Sequence, residues 1–231
     1  MSKENINSYY LQCNQWLLNN IPKGLDRILE FGCSGGRLGN TYKEENDNTI
    51  WHGIDVHKPA LDHASKMIDG AWKQDANNLK PNKTMLKAPY DALVYGDVIE
   101  HLIQPESSVP EHLKLLKPGG KVIVCIPNVQ HWTVMRHVIS GKWEYQDGGL
   151  LDRTHLRFFT RRSFRNFISE IDLEFVSMQR ISYESTKMWA EKKQARLNVL
   201  ENLEIFCKAT NLPYNELDFR TFQYIFVAQK K

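Results

Sequence analysis

Three ionisable residues stand close together in Tyr95-Gly-Asp-Val-Ile-Glu-His-Leu102: Asp97, Glu100 and His101. A helical reading puts them at i, i+3 and i+4, on one face. Two carboxylates and an imidazole converging there could move a proton or hold a cation. His101 is the preferred general base, because an imidazole titrates near neutrality and Glu100 or Asp97 could orient its ring. A solvated helix start, whose dipole favours acidic groups, is the other reading. His155, in Leu150-Leu-Asp-Arg-Thr-His-Leu-Arg-Phe-Phe-Thr-Arg162, is the second candidate imidazole. Earlier, Ile28-Leu-Glu-Phe-Gly-Cys-Ser-Gly-Gly-Arg-Leu-Gly39 runs from apolar residues into a turn of small ones. Gly32, Gly35 and Gly36 would allow tight-turn dihedrals and let a ligand reach backbone amides. Close helix-on-strand packing would ask for the same residues. Asp55 ends the next apolar run, where a carboxylate can accept both hydroxyls of a ribose. Asp75 could accept from an adenine amino group. Glu30, inside a buried run, needs a donor such as a ligand ammonium.

These groups need a sheet edge to bring them together, and the pattern supplies one. Short apolar runs at residues 27–31, 50–56, 92–95 and 122–126 alternate with longer polar or amphipathic stretches, as buried parallel strands with crossover helices do. Lys117-Pro-Gly-Gly-Lys121 reads as a turn that ends a helix and launches the strand 122–126. Thr160 is placed to cap a helix carrying Phe164, Phe167, Ile168 and Ile171 on one face, followed by strands at 174–181 and 221–228. Ile6, Tyr9, Tyr10, Cys13 and Leu17 fall at helical spacing ahead of Pro22. Val199, Leu200, Leu203, Phe206 and Cys207 form a stripe in a long helix over residues 187–210. The chain therefore reads as one α/β domain, 1–231: an N-terminal helix (1–22), a lid over the acceptor (128–160) and a helical insertion (186–212) before the last strand.

Composition narrows the function classes. A net charge of +3, from 30 basic and 27 acidic residues, forces no nucleic-acid or membrane partner. Cys13, Cys33, Cys125 and Cys207 lie far apart with no CxxC pair, which argues against a disulfide framework or a zinc cluster and for reduced thiols in the cytoplasm. No apolar run approaches membrane-spanning length, and no secretory signal opens the chain.

Taken together, Glu30-Phe-Gly-Cys-Ser-Gly-Gly36, Ile54-Asp55, Gln74-Asp75-Ala76, Asp91 to His101 and Leu116-Lys-Pro-Gly-Gly120 resemble the class I S-adenosylmethionine-dependent methyltransferases, over roughly residues 25–180. The resemblance implies a Rossmann-like doubly wound sheet of seven strands, mostly parallel with an antiparallel last strand, and S-adenosylmethionine as cofactor. It would set the methionine part against Glu30, Gly32, Cys33, Ser34 and Gly36, the ribose on Asp55, and adenine between Val56 and Asp75–Ala76. Gly96 would lie under the sulfonium, with Asp97 among the cofactor contacts. Ser34 stands where that family usually has glycine. The 150–162 block and Pro127-Asn-Val-Gln-His-Trp132 resemble methyltransferases found beside polysaccharide glycosyltransferases, which implies a sugar or glycan hydroxyl as acceptor, with an amine less favoured.

The Glu100-His101 pair with a later His155 also resembles metal-assisted O-methyltransferases of the ubiquinone pathway and of small-RNA 3′ ends. There Glu100, His101 and His155, with Asp97, would hold a divalent ion, and His101 could no longer serve as base. Trp132, Trp143 and Tyr145 would suit ring stacking, and Arg153, Arg157, Arg161 and Arg162 a phosphate or carboxylate; a solvated basic face is the alternative. The expected partner is a small sugar-like molecule rather than nucleic acid or membrane, with a homo-oligomer left open. From other classes, a nicotinamide oxidoreductase is permitted by Asp55 but lacks G-x-G-x-x-G and a hydride partner. An inactive binding module would not need three converging ionisable groups.

Overall fold

The structure is a computed structural model that describes residues 12–183 and 193–231. The apolar runs form the strands β1 (Arg27–Phe31), β2 (Ile50–Asp55), β3 (Gly70–Lys73), β4 (Tyr90–Gly96), β5 (Leu116–Pro127), β6 (Leu173–Ile181) and β7 (Gln223–Lys230). They make one seven-stranded sheet in the order β3-β2-β1-β4-β5-β7-β6. β1 to β5 pair in parallel, whereas β7 runs antiparallel to both β5 and β6. The central strands are apolar on both sides because both faces are covered. One face packs on α1 (Gln15–Leu18), α2 (Arg37–Lys43) and α3 (Lys58–Ala64) through Leu17, Leu38, Tyr42 and Leu61. The other packs on α4 (Pro105–Leu113) and α6 (Arg161–Glu170) through Val109, Leu113, Phe164 and Phe167. The strand order reverses between β1 and β4, which is where open α/β sheets leave a crevice at the carboxyl edge. Phe31 and Tyr95 stack across that junction with ring centroids 4.4 Å apart.

Several expectations need correction. Lys117-Pro-Gly-Gly-Lys121 lies within β5 as a bulge: Leu116 pairs with Tyr90 and Lys121 with Ala92, so the excess residues loop out of the ladder. Residues 128–160, read as the lid, include the helix α5 (Trp132–Ile139). The helix α7 (Lys193–Ala209) buries Leu200 and Leu203 against Trp132 and Phe219, the latter from α8 (Glu216–Arg220); Cys207 is buried too, but Phe206 faces outward and drops from the stripe. At the N-terminus, α1 is a four-residue helix capped by Asn14, so Cys13 precedes it. Ile6, Tyr9 and Tyr10 lie outside the described residues, as does the start of the proposed insertion. The Thr160 cap forms as expected, its hydroxyl accepting from the Ser163 amide. No helix among the described residues is long and apolar enough to cross a membrane.

Candidate active site

β1 ends in the glycine turn, and three of its residues take left-handed dihedrals: Gly32, Ser34 and Gly36, with φ of 68°, 51° and 77°. Gly35 is not one of them. A Cβ on Gly32 would lie 2.6 Å from Val98, so only glycine fits where this turn meets the β4 exit. Asp55 closes the crevice from β2. Its carboxylate accepts the Ser34 amide at 2.9 Å and the His57 amide at 2.8 Å, tying the two loops together. Val56 beside it is 60% exposed, an apolar surface turned to solvent at the end of a strand. Asp75 spends one oxygen on capping the short turn Ala76–Asn78 through the Asn77 amide. The Asn77 side chain in turn accepts the Ile103 amide, which draws the exposed Ile103 to that turn; no pattern in the sequence marked either residue.

Glu30 is buried, and its donor comes from within the protein: Trp51 Nε1 donates to its carboxylate at 2.9 Å. Burial, against that single hydrogen bond, pushes the Glu30 carboxyl up to about 8. Gly96 lies against Leu17 of α1, which a Cβ there would approach to 3.2 Å. Cys33 is buried in the core cluster beneath the turn.

The ionisable triplet is arranged differently from the helical reading. Asp97 sits at φ 54°, and only Ile99–His101 form a single 3-10 turn, so Asp97 parts from Glu100 and His101. Asp97 turns towards β7, where Gln223 donates to it at 2.6 Å, and burial pushes its carboxyl up to about 6. Gln223 opens β7, and nothing in its neighbourhood hinted at this contact. Glu100 points inward and is fully buried; neither carboxylate oxygen has a hydrogen-bond partner among the described residues. Burial, and then the Asp97 charge, hold its carboxyl well above the usual range.

His155 joins Glu100 and His101 from the later loop. One ligand atom from each of the three residues lies within 4.8 Å of the others, and Asp97 is not in the group. The Glu100 carbonyl accepts the amides of Leu156 and Arg157 at 2.8 and 2.9 Å, which docks that loop on the turn. His101 Nδ1 donates to the Thr154 carbonyl at 3.0 Å and His155 Nδ1 to the Leu150 carbonyl at 3.3 Å. Both rings therefore keep Nε2 as the lone-pair nitrogen, the tautomer that a metal ligand needs. Burial and the neighbouring His101 lower the His155 pKa, favouring the neutral ring. A buried carboxylate without donors beside two such imidazoles fits a divalent cation, because carboxylate and imidazole are ordinary ligands of such ions and a cation would satisfy Glu100.

The expected lid contributes less than its composition promised. His131 and Trp132 are buried, so neither offers a stacking face. Trp143 and Tyr145 are exposed, Trp143 lying edge-on to Phe158. Arg161 is committed to Asp218 by a bidentate pair, Arg153 to Asp147, and Arg157 to the Ile103 carbonyl.

A glycine turn, a strand-end carboxylate and an acid–imidazole cluster around the switch point of a doubly wound sheet define a nucleotide-cofactor enzyme. The comparisons give the class. Residues 29–122 match the model of a methyltransferase domain. The ubiquinone biosynthesis O-methyltransferase of Dechloromonas aromatica (strain RCB) is 24% identical over 80% of this chain and 81% of its own length. The enzyme of the same name from Alkalilimnicola ehrlichii (strain ATCC BAA-1101 / DSM 17681 / MLHE-1) is 28% identical over 68% and 64%. Among solved structures, a methyltransferase of Thermotoga maritima superposes with a TM-score of 0.62 at 17% identity, covering 96% of this chain and 89% of that one. The SpnF cyclase superposes with 0.60 at 18%, covering 94% and 78%. These structural likenesses show the fold alone. The domain match over residues 29–122 and the curated relatives support a class I S-adenosylmethionine-dependent methyltransferase with S-adenosylmethionine as cofactor.

Proposed function

We propose that the chain methylates a hydroxyl of a small acceptor carrying two adjacent oxygens, and that Glu100, His101 and His155 hold a divalent cation that serves this reaction. The observation that carries the reading is the buried, donor-free carboxylate of Glu100 beside His101 and His155. A divalent ion at these ligands would supply Lewis acidity, orienting vicinal oxygens and easing loss of the hydroxyl proton. The chain's residues do the rest. The carbonyls of Thr154 and Leu150 fix both rings, Glu100 brings the negative charge, and the glycine turn with Asp55 grips the methyl donor. Within this reading Glu30, Gly32, Cys33, Ser34, Gly36, Asp55, Val56, Asp75, Ala76, Gly96 and Asp97 form the cofactor side. His101 is a ligand rather than the free base.

A catechol-like acceptor is favoured by the relatives named for ubiquinone O-methylation. A sugar or glycan intermediate with vicinal hydroxyls suits the same centre. An RNA end loses support, since Arg161 is already paired with Asp218. The test is metal dependence in two readouts. A chelator should abolish turnover, with Mg²⁺ or Mn²⁺ restoring it, and calorimetry should show one ion bound by the native protein and none by Glu100→Gln. Full turnover in chelator with no bound ion would return His101 to the role of base.

A further inference from the structure

The loop that delivers His155 has a second surface. Gly149, Leu150 and Leu151 wall one side of a cavity of about 250 Å³, closed elsewhere by α5 and Phe222. Its floor is apolar: Val134, Leu150 and Leu151 form a buried cluster with Phe222 packed on it. Arg136, His137 and Gln146 line it as well, and no acidic residue does. Arg136 has no ion-pair partner among the described residues, in contrast to Arg153 and Arg161. The His137 Nδ1 is buried without a hydrogen-bond partner among them. Two nitrogen-bearing side chains without acceptors, over an apolar floor, describe a site for a ring with an acceptor-rich substituent.

The cavity adjoins the reaction centre through the His155 loop, although Glu100, His101 and His155 are not among its lining residues. The Leu150 carbonyl takes the His155 Nδ1–H, and backbone bonds from Gln146 to Leu151 and from Arg153 to Gln146 make the loop a single unit. Phe222 precedes Gln223, which holds Asp97. Size limits the occupant. A dry cavity of about 150 Å³ holds benzene, so this space takes one substituted ring, and a longer chain would have to leave through its mouth.

We infer that this cavity seats the ring of the methyl acceptor, with Arg136 and His137 reading an anionic substituent, a carboxylate or a phosphate, on that ring. The inference rests on the reaction centre proposed above, because it is the His155 loop that joins the two. The experiment is an amide NMR titration of the protein saturated with S-adenosylhomocysteine, in chelator, using benzoate, phenyl phosphate and benzyl alcohol as probes. At least one anionic ring should shift the amides of Gly149, Leu150 and Leu151 with a Kd at least tenfold below that of benzyl alcohol. Benzoate ahead assigns a carboxylate, phenyl phosphate ahead a phosphate. Arg136→Gln should bring the three probes within about twofold of one another, and Arg136→Lys should keep most of the preference. Equal response to all three probes, no response at those amides, or a preference that survives Arg136→Gln overturns the inference. None of the probes has vicinal hydroxyls and no cation is present, so failure here is distinct from failure of the metal reading.

Discussion

Asp55 carries two loops on one carboxylate, and that double use bears on how it could hold a cofactor. Each carboxylate oxygen has two acceptor positions; the Ser34 and His57 amides fill one on each oxygen, leaving one on each for a sugar diol. In Asp55→Asn the amide NH₂ would face a backbone N–H, so one loop contact and one ligand contact fail together. A hydrogen bond to a charged group contributes about 1.5–3 kcal/mol, which corresponds to roughly 10- to 100-fold in affinity. Calorimetry with S-adenosylhomocysteine should show a loss of that size for Asp55→Asn and no binding for Asp55→Ala. Native affinity in either variant would remove Asp55 from the cofactor site. Ser34 meets the same geometry from the other side: its amide reaches Asp55 only because the residue adopts φ 51°, a conformation that glycine takes without strain.

At the scale of elements, α2 sets the glycine turn by pressing on β2. A Cβ on Gly39 would come within 2.4 Å of the Trp51 ring, which is fully buried and also supplies the Glu30 hydrogen bond. Gly39→Ala must push the helix off the strand, and overpacking of this kind costs about 1–3 kcal/mol. Urea denaturation should register that loss together with weaker S-adenosylhomocysteine binding; an unchanged midpoint would mean that α2 shifts freely. What could be read from the sequence was local. The apolar runs of β1, β2 and β4, the Thr160 cap and the glycine turn each announce themselves within a few residues, since strand burial and capping are short-range demands. The burial of Trp132 could not be read, because it depends on α7 and α8, far along the chain. Nor did any local pattern mark the union of Glu100 with the His155 loop, which is made by backbone carbonyls that every residue possesses; it was the family resemblance that grouped Glu100, His101 and His155. The helical spacing of Asp97, Glu100 and His101 misled because a left-handed Asp97 and a single 3-10 turn replace the helix, and the cluster that forms takes its third member from 54 residues downstream of His101.

Across the whole molecule, two sets of buried carboxyls respond to pH in opposite senses. Burial opposes ionisation of Asp218, but hydrogen bonds from Arg161 and Tyr224 and the charges of Arg161 and Arg180 outweigh it and hold the carboxyl below its usual range. Burial likewise opposes ionisation of Asp91, and the Lys117 ion pair with the Arg27 amide outweighs it. Groups of this kind stabilise the fold above their unfolded pKa, and that stability is lost as pH falls through the folded values. Glu30 acts the other way. Raised from 4.5 to about 8, it contributes stability that is complete below its unfolded pKa and disappears as pH rises through about 8. At about 1.4 kcal/mol per pKa unit, the alkaline loss from Glu30 is at most about 5 kcal/mol. The cofactor-free protein should therefore be most stable near pH 4 to 5, lose stability at lower pH as the aspartates are protonated, and lose it again as pH rises from about 4.5 to about 8. Urea midpoints measured across that range for native protein and Glu30→Gln test the assignment, since glutamine removes the charge while keeping an acceptor for Trp51. The variant should keep the acid limb and shrink the alkaline one, leaving the part that the raised carboxyls of Asp97 and Glu100 contribute; an alkaline limb of undiminished size would show that Glu30 has no share in it.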